Sequence, residues 1–497
     1  MIEEGEAARD IKALEEKAVE MRRCVVKFVL YPSLALLGFG YAVGAIFSAF
    51  GGNMPGIAAA SIGIGILGLL LTAVLMVLFR VRGHHGYDRQ RIDGAKVLRL
   101  EEPMTSGEPL LPIGFARMPL AAEPVHTLIE GATGMGKTQV LKGMMEFIRA
   151  RGDTVVVVDD NYDLHKAFGK SGDIVLSAFD EASPGWLPQN EVKAPADWSA
   201  LAQSFIGDGH GEAAQWHQMA KALFAAVGRG YARITDEAGE PFDHTEFFHL
   251  LTQASAEDLA PFVKGTAAAS LGVNDKALNN VRMTFFSTLK FWEYLRPGDF
   301  SLRDWVEQGG DRPSIFIPYT RRSLEESKNL ISCWLDQIIT TAVDLGENRE
   351  NRVWVIIDEL SGLGEISGLQ TAVTLLRKTG FRVVCGIQNY EQIEKFYTSA
   401  GAKTITNNMV NKVILRATDP TTADRQSKLI GDARFRIFKA SESASAGGKG
   451  VSLSMEEKVE RLVLPSELSN LAPLNAFVIF SGDETTYRTP IPVYGLS

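Results

Sequence analysis

At 497 residues the chain is too long for one compact core, so two to four domains are expected. A mean hydropathy of +0.01 beside 22% charged residues points to a concentrated apolar segment on an ordinary soluble body. A net charge of −9 excludes a broad basic coat for nucleic acid but leaves a narrow basic channel open, because local charge decides that contact. Cys24, Cys333 and Cys385 lie far apart with no ligand-like spacing, which argues against a disulfide framework or a zinc site and fits a reducing cytoplasm.

The first 22 residues are charged and helix-prone, and no function is assigned to them. Phe28–Phe50 and Ile57–Phe79 then carry no Asp, Glu, Lys or Arg. Each run, about 23 residues, is long enough to span a hydrocarbon core with some tilt. Gly51-Gly52-Asn53-Met54-Pro55-Gly56 between them is built of chain-breaking residues. Arg22, Arg23 and Lys27 before the pair, and Arg80 and Arg82 after it, place both flanks on the cytoplasmic side. A cleaved signal peptide is disfavoured by the length of the first run, the acidic segment before it and the second run after it. Gly40 with Gly44 and Ser61 with Gly65 have helix-packing spacing, yet glycine is common in membrane helices and the spacing alone proves no association.

Gly131-Ala132-Thr133-Gly134-Met135-Gly136-Lys137-Thr138 is framed by a short apolar strand, His126–Ile129, and a helical run from Val140. Glycines let successive N–H groups turn toward the phosphates of a nucleotide, and the helix N-terminus adds a favourable dipole. In this pattern Lys137 reaches the β- and γ-phosphates and the Thr138 hydroxyl binds Mg²⁺, with ATP as the nucleotide. Asp153–Asp159 reads as a buried parallel strand. Asp159 at its carboxyl end either touches the site or caps the next turn, and the sequence leaves both readings open.

From about Asp197 to Arg296 the pattern turns helical. Trp216, Met219, Ala220, Leu223 and Phe224 recur at three- and four-residue steps, as do Leu278, Val281, Phe285 and Leu289. These aromatics read as core in preference to base-stacking platforms. Lys221, Lys264, Lys276 and Arg282 face either nucleic acid or plain solvent.

Val353–Ile357 is a second buried strand, ending in Asp358-Glu359. Two acids at a strand end are costly without partners or work. Beside a phosphate loop, Asp358 is expected at Mg²⁺ and Glu359 at the attacking water. Gln388, ending the strand Phe381–Ile387, reads either as a γ-phosphate sensor or as an ordinary strand-end hydrogen bonder. Arg377 reads either as an arginine finger serving a neighbour's site or as a solvated basic turn. Ser441–Gly450, rich in small residues, is expected to be a flexible loop. Strands alternating with helices after a phosphate loop imply an α/β fold with a doubly wound parallel sheet.

The chain resembles the coupling proteins of type IV secretion, the TraD/TrwB family of conjugative ATPases. The resemblance is carried, in order, by Ile113–Pro119, His126–Thr138, Phe179–Trp186, Trp216 with Ala220, Leu223 and Phe224, Ile357–Leu360, Gly386–Gln388, Leu429–Gly431 and Leu464-Pro465. It implies a RecA-like P-loop motor domain with an inserted all-α domain and an N-terminal transmembrane hairpin. The corresponding divisions are a cytoplasmic segment at 1–27, the hairpin at 28–79, the motor at 80–196 and 297–497, and the insert at 197–296, at the cytoplasmic mouth of a channel. It further implies a homo-hexamer, two-pass in the bacterial inner membrane with its motor in the cytoplasm, and DNA-stimulated ATP hydrolysis. Its implied partners are single-stranded DNA with attached relaxase, relaxosome accessory proteins and components of the secretion channel. Roles for Arg377 and Gln388 gain weight from the same likeness. Relatives often carry glycine shortly after the strand ending at Asp159, where this chain has Asn161-Tyr162, and the long acidic tail of some relatives is absent from this sequence. A double-stranded DNA translocase like FtsK/SpoIIIE fits less well, having more membrane spans and a winged-helix module. A nucleotide-switched recruitment platform has no need of a water-activating acid such as Glu359.

Overall fold

The computed structural model describes residues 88–494 apart from 210, 274, 349 and 446–447, together with the isolated helical positions 38, 42, 45 and 46. The apolar pair at 28–79 otherwise lies outside the described residues, as do the first 22 residues. Among the described residues no helix is long and apolar enough to cross a membrane.

The chain opens with β1 (Asp88–Gly94), β2 (Lys96–Arg99), the short hairpin β3 (Leu111–Ile113) and β4 (Ala116–Met118), and β5 (Thr127–Glu130). Next come α1 (Lys137–Arg151), β6 (Thr154–Asp160), α2 (Asp163–Phe168) and β7 (Ile174–Val175). A helical stretch follows: α3 (Asp197–Ile206), α4 (Ala214–Ala238), α5 (His244–Thr252), α6 (Ala256–Val263), α7 (Asp275–Thr288) and α8 (Leu302–Gln308). The sheet resumes with β8 (Ile315–Tyr319), α9 (Leu324–Asp344), β9 (Val353–Ile357), α10 (Leu360–Leu363), α11 (Leu369–Leu375) and β10 (Phe381–Ile387). After α12 (Tyr390–Asn408), β11 (Asn411–Ile414) and α13 (Pro420–Ile430) come β12 (Asp432–Ser445), β13 (Gly448–Arg461), α14 (Pro465–Ser469), β14 (Asn475–Ile479) and β15 (Thr485–Pro490).

Two compact units result. Residues 93–433 and 459–497 form the larger one; residues 434–458 with those before 93 form the other, to which most of a three-stranded sheet ordered β1-β12-β13 belongs. The small-residue stretch at 441–450 is therefore not a loop over most of its length: residues 441–445 and 448–450 continue two paired strands. Serine and alanine offer no side-chain pattern to announce a strand, and backbone pairing makes one regardless.

The larger unit is built on a ten-stranded sheet ordered β2-β15-β14-β11-β5-β10-β9-β6-β8-β7. From β11 to β7 every neighbouring pair is parallel, whereas β14 runs antiparallel to both β11 and β15. The continuous apolar runs predict this, since a parallel strand is buried on both faces. In β6, Val156 and Val158 join one core while Val155 and Val157 join the other, with Val140, Leu141, Met144, Met145 and Ile148 of α1. That is the period-two alternation of a strand meeting the helical period of α1.

The helices between β7 and β8 share an aromatic core. Trp198, Phe205, Phe224, Phe247, Phe291 and Trp292 pack ring to ring, with centroids 5.2 to 6.3 Å apart in the contacting pairs. Phe224, Leu278, Val281, Phe285 and Leu289 are buried, so these residues form core, not stacking surface; Met219 of the same pattern is exposed.

Candidate functional site

β5 delivers the chain to the carboxyl edge of the sheet at a point where neighbours lie on both sides, β10 and β11. The chain then leaves through α1 to β6, three strands away. Such a reversal opens the crevice in which α/β sheets bind ligands. The Gly131 amide donates to Ile387 O (3.1 Å) and the Ala132 amide to Arg416 O (3.0 Å), which ties the loop to the ends of β10 and β11. Gly134 and Gly136 sit at φ 78° and 115°, a region that favours glycine. Gly131 is needed for space instead: a Cβ there would stand 2.5 Å from Leu415 Cβ.

Lys137, the first residue of α1, folds its ammonium back onto Gly131 O (2.9 Å) and lies 3.7 Å from Glu359. The Thr138 hydroxyl donates to Asp358 Oδ2 across 3.1 Å. Asp358 and Glu359 follow β9, and Gln388 follows β10, the strand between β9 and β5. Gln388 Nε2 donates to Glu359 Oε2 (3.0 Å), and the Ser361 hydroxyl donates to its other oxygen. Burial pushes the Asp358 carboxyl up to about 6, against the Thr138 hydroxyl and the Lys137 charge. The hydroxyl of Thr138 and the carboxylate of Asp358 are the hard oxygen donors that Mg²⁺ requires, and the glycine-lined loop is the cradle a nucleotide's phosphates require.

Asp159, left between two readings by its sequence, caps the turn. Its carboxylate accepts from the Leu164 and His165 amides at 3.0 and 2.8 Å. Burial still pushes it up to about 6. Asn161 and Tyr162, in the turn after β6, are both left-handed, with φ 57° and 63°.

Arg377 is not part of this assembly. It is exposed and precedes β10, at the amino edge of the sheet. A seven-residue strand at about 3.3 Å per residue puts it roughly 20 Å from Gln388 along the sheet. Lys221 does not face a ligand either: it is buried, its ammonium held by Gln203 and Asp208. Lys264 and Lys276 are exposed, and Arg282 donates to Ala254 O.

Several supporting residues had no local signal. Leu474 walls the loop from the distant end of the chain: its amide donates to Met135 O (3.1 Å), and its side chain stands 2.9 Å from where a Gly136 Cβ would be. The Tyr494 amide donates to Gln139 Oε1 (2.7 Å), and its ring covers Gly143 of α1. Glu130, a buried acid directly before the loop, pairs with Arg425, and burial raises its carboxyl. An acid ending an apolar strand is a legible demand for a partner, but not for which one.

Fold and site together define the class, a RecA-like α/β motor with a helical domain, matching bacterial TrwB structures. The plasmid coupling protein TrwB in complex with ADP and Mg²⁺ superposes with a TM-score of 0.72 at 30% identity, over 83% of this chain and 96% of that one. TrwB with a non-hydrolysable ATP analogue gives the same score and identity. A family model, the type IV secretion-system coupling protein DNA-binding domain, matches residues 111–491, and the chain belongs to that family. Among curated relatives, the coupling protein TraD of Escherichia coli K12 is 26% identical over 377 residues, 71% of this chain and 50% of TraD. The conjugal transfer protein TraG of Agrobacterium fabrum is 27% identical over 231 residues, 46% of this chain and 34% of TraG. The chain thus spans about half of TraD and about a third of TraG.

Proposed function

We propose that the protein is an ATP-driven, inner-membrane coupling protein. In this reading it recruits a relaxase–DNA complex and pumps single-stranded DNA into a type IV secretion channel as a homo-hexamer. The observation that carries this reading is the convergence of Lys137, Thr138, Asp358, Glu359 and Gln388 on one glycine cradle at the sheet edge. The backbone amides of the loop beyond Ala132 and the Lys137 ammonium bind the phosphates of ATP, the substrate. Thr138, with Asp358 behind it accepting from its hydroxyl, would hold Mg²⁺, and the ion would supply neutralisation of phosphate charge. Glu359, oriented by Gln388 and Ser361, takes the proton of the attacking water. Arg377, remote from its own cradle, serves the site of an adjacent protomer as the arginine finger. The pair of apolar spans at 28–79 anchors the motor with both ends in the cytoplasm.

The test is ATP hydrolysis by the full-length protein in detergent, with and without single-stranded DNA. Stimulation by DNA that disappears in Lys137→Ala and Glu359→Gln supports a nucleic-acid pump. Turnover indifferent to DNA would instead leave a recruitment platform.

A further inference from the structure

Two strands along the carboxyl edge from the catalytic acids lies a cavity of about 340 Å³. The end of β8 and the turn after β6 form part of it, the β8 end lying about 10 Å from the end of β9 at ordinary strand spacing. Its lining is aromatic: Tyr162, Phe179, Tyr294 and Tyr319. Phe179 and Tyr294 meet at 4.7 Å between centroids, tilted at 49°, and remain 42% and 41% exposed. Phe179 opens the Phe179–Trp186 block, to which the ATP-binding residues give no role. Tyr162 is held here by the left-handed turn after β6, its hydroxyl donating to Asp180 Oδ2 (3.2 Å). A glycine would adopt that turn without strain; the tyrosine there adds its bond to Asp180 and its ring contacts with His165 and Lys166.

We propose that this cavity is a nucleobase site, holding one base of a single-stranded nucleic acid on the same sheet edge as the catalytic acids. The inference rests on the pump reading above and assigns part of the strand's path. Exposed aromatic faces stack on any base, and the volume lies in the range of small-ligand sites. Arg322 offers a guanidinium to a phosphodiester, while the Thr320 and Ser323 hydroxyls bond each other and the backbone of their own turn, so base recognition here is by stacking. Glu326, lining the cavity, and Asp180, bound to Tyr162, disfavour a free nucleotide's polyphosphate but not a neutral ring on a singly charged backbone. Tyr319 is the link to hydrolysis. It ends β8 and lines the cavity, so a base packed there lies two strands, about 10 Å, from the strand end that carries the water-activating acid.

The experiment compares binding of a short oligothymidylate and an abasic strand of equal length to full-length protein in detergent, at one fixed salt concentration. The expected preference for the base-bearing strand is about tenfold. Phe179→Ala and Tyr294→Ala should reduce that ratio severalfold, and Phe179→Trp should keep it, which separates lost stacking from lost folding. On the wild type, a 5-iodouracil strand should cross-link to peptides carrying Phe179 or Tyr294. Cross-linking there by free iodo-dUMP but not by the strand would overturn the assignment to a strand. An unchanged ratio in both alanine variants, with DNA still stimulating hydrolysis, would overturn this inference alone. No strand binding at all would overturn it together with the pump.

Discussion

Lys137 is held at one position by two partners, Gly131 O and Glu359, and the same glycine has no room for a methyl group. Gly131→Ala should therefore weaken ATP binding at least tenfold, and Leu415→Ala in the same chain should recover part of the loss. Calorimetric titration of both variants checks this; additive losses would mean the two positions do not couple. Gln388→Ala removes the amide that orients Glu359, so kcat should fall about tenfold with little change in KM. Asp336 provides a pH prediction. Buried in α9, it accepts from the Gly368 amide (2.7 Å) and the Ser367 hydroxyl, and burial pushes it up to about 6. Its folded-state value lies above its unfolded one, so its stabilising effect is full below about pH 4 and is lost as pH rises through 6. The stability difference between wild type and Asp336→Asn should shrink across that window, by at most about 1.4 kcal/mol per pH unit, in denaturant titrations. A constant difference would show that Asp336 is ionised throughout.

At the scale of elements, the amino edge of the sheet is tied by buried charge. Glu123, 1% exposed, receives Arg151 at 2.7 Å and lies 3.3 Å from Arg382, while Trp354 donates to Asp153 (2.9 Å). Glu123→Ala leaves Arg151 with Asp153 but takes the carboxylate from the buried Arg382, and should cost about 3–5 kcal/mol, read as faster amide exchange in β10 and a lowered Tm. Glu123→Gln should cost less. The legibility of the elements follows the same physics. The β6 and β9 runs, the phosphate loop and the acid pair were legible because short-range chemistry dictates them: two-sided burial needs continuous apolar residues, and phosphates need glycine. The roles of Leu474, Tyr494 and Arg425 were not, because each depends on a contact hundreds of residues away in the chain. The strand ends within 441–450 are not legible, because small residues lack the alternation that marks a half-buried strand.

At the scale of the whole molecule, Arg377 gives the sharpest prediction. Lys137→Ala protein and Arg377→Ala protein should each be inactive, yet mixing them after subunit exchange should restore hydrolysis at the interfaces that combine an intact loop with an intact arginine. No recovery on mixing would confine Arg377 to a structural role. For the proposed anchor, Asn53→Cys in spheroplasts should react with a membrane-impermeant maleimide, and a cysteine in the described motor should not.

The stitching of Leu474 and Tyr494 to the phosphate loop has a consequence for how the protein is made. A ribosome releases Gly131–Thr138 long before it releases these two residues. Until the later segment emerges, the cradle lacks one wall and α1 lacks its cover at Gly143. The loop's full wall and the cover on α1 therefore exist only once the chain has been made through Tyr494.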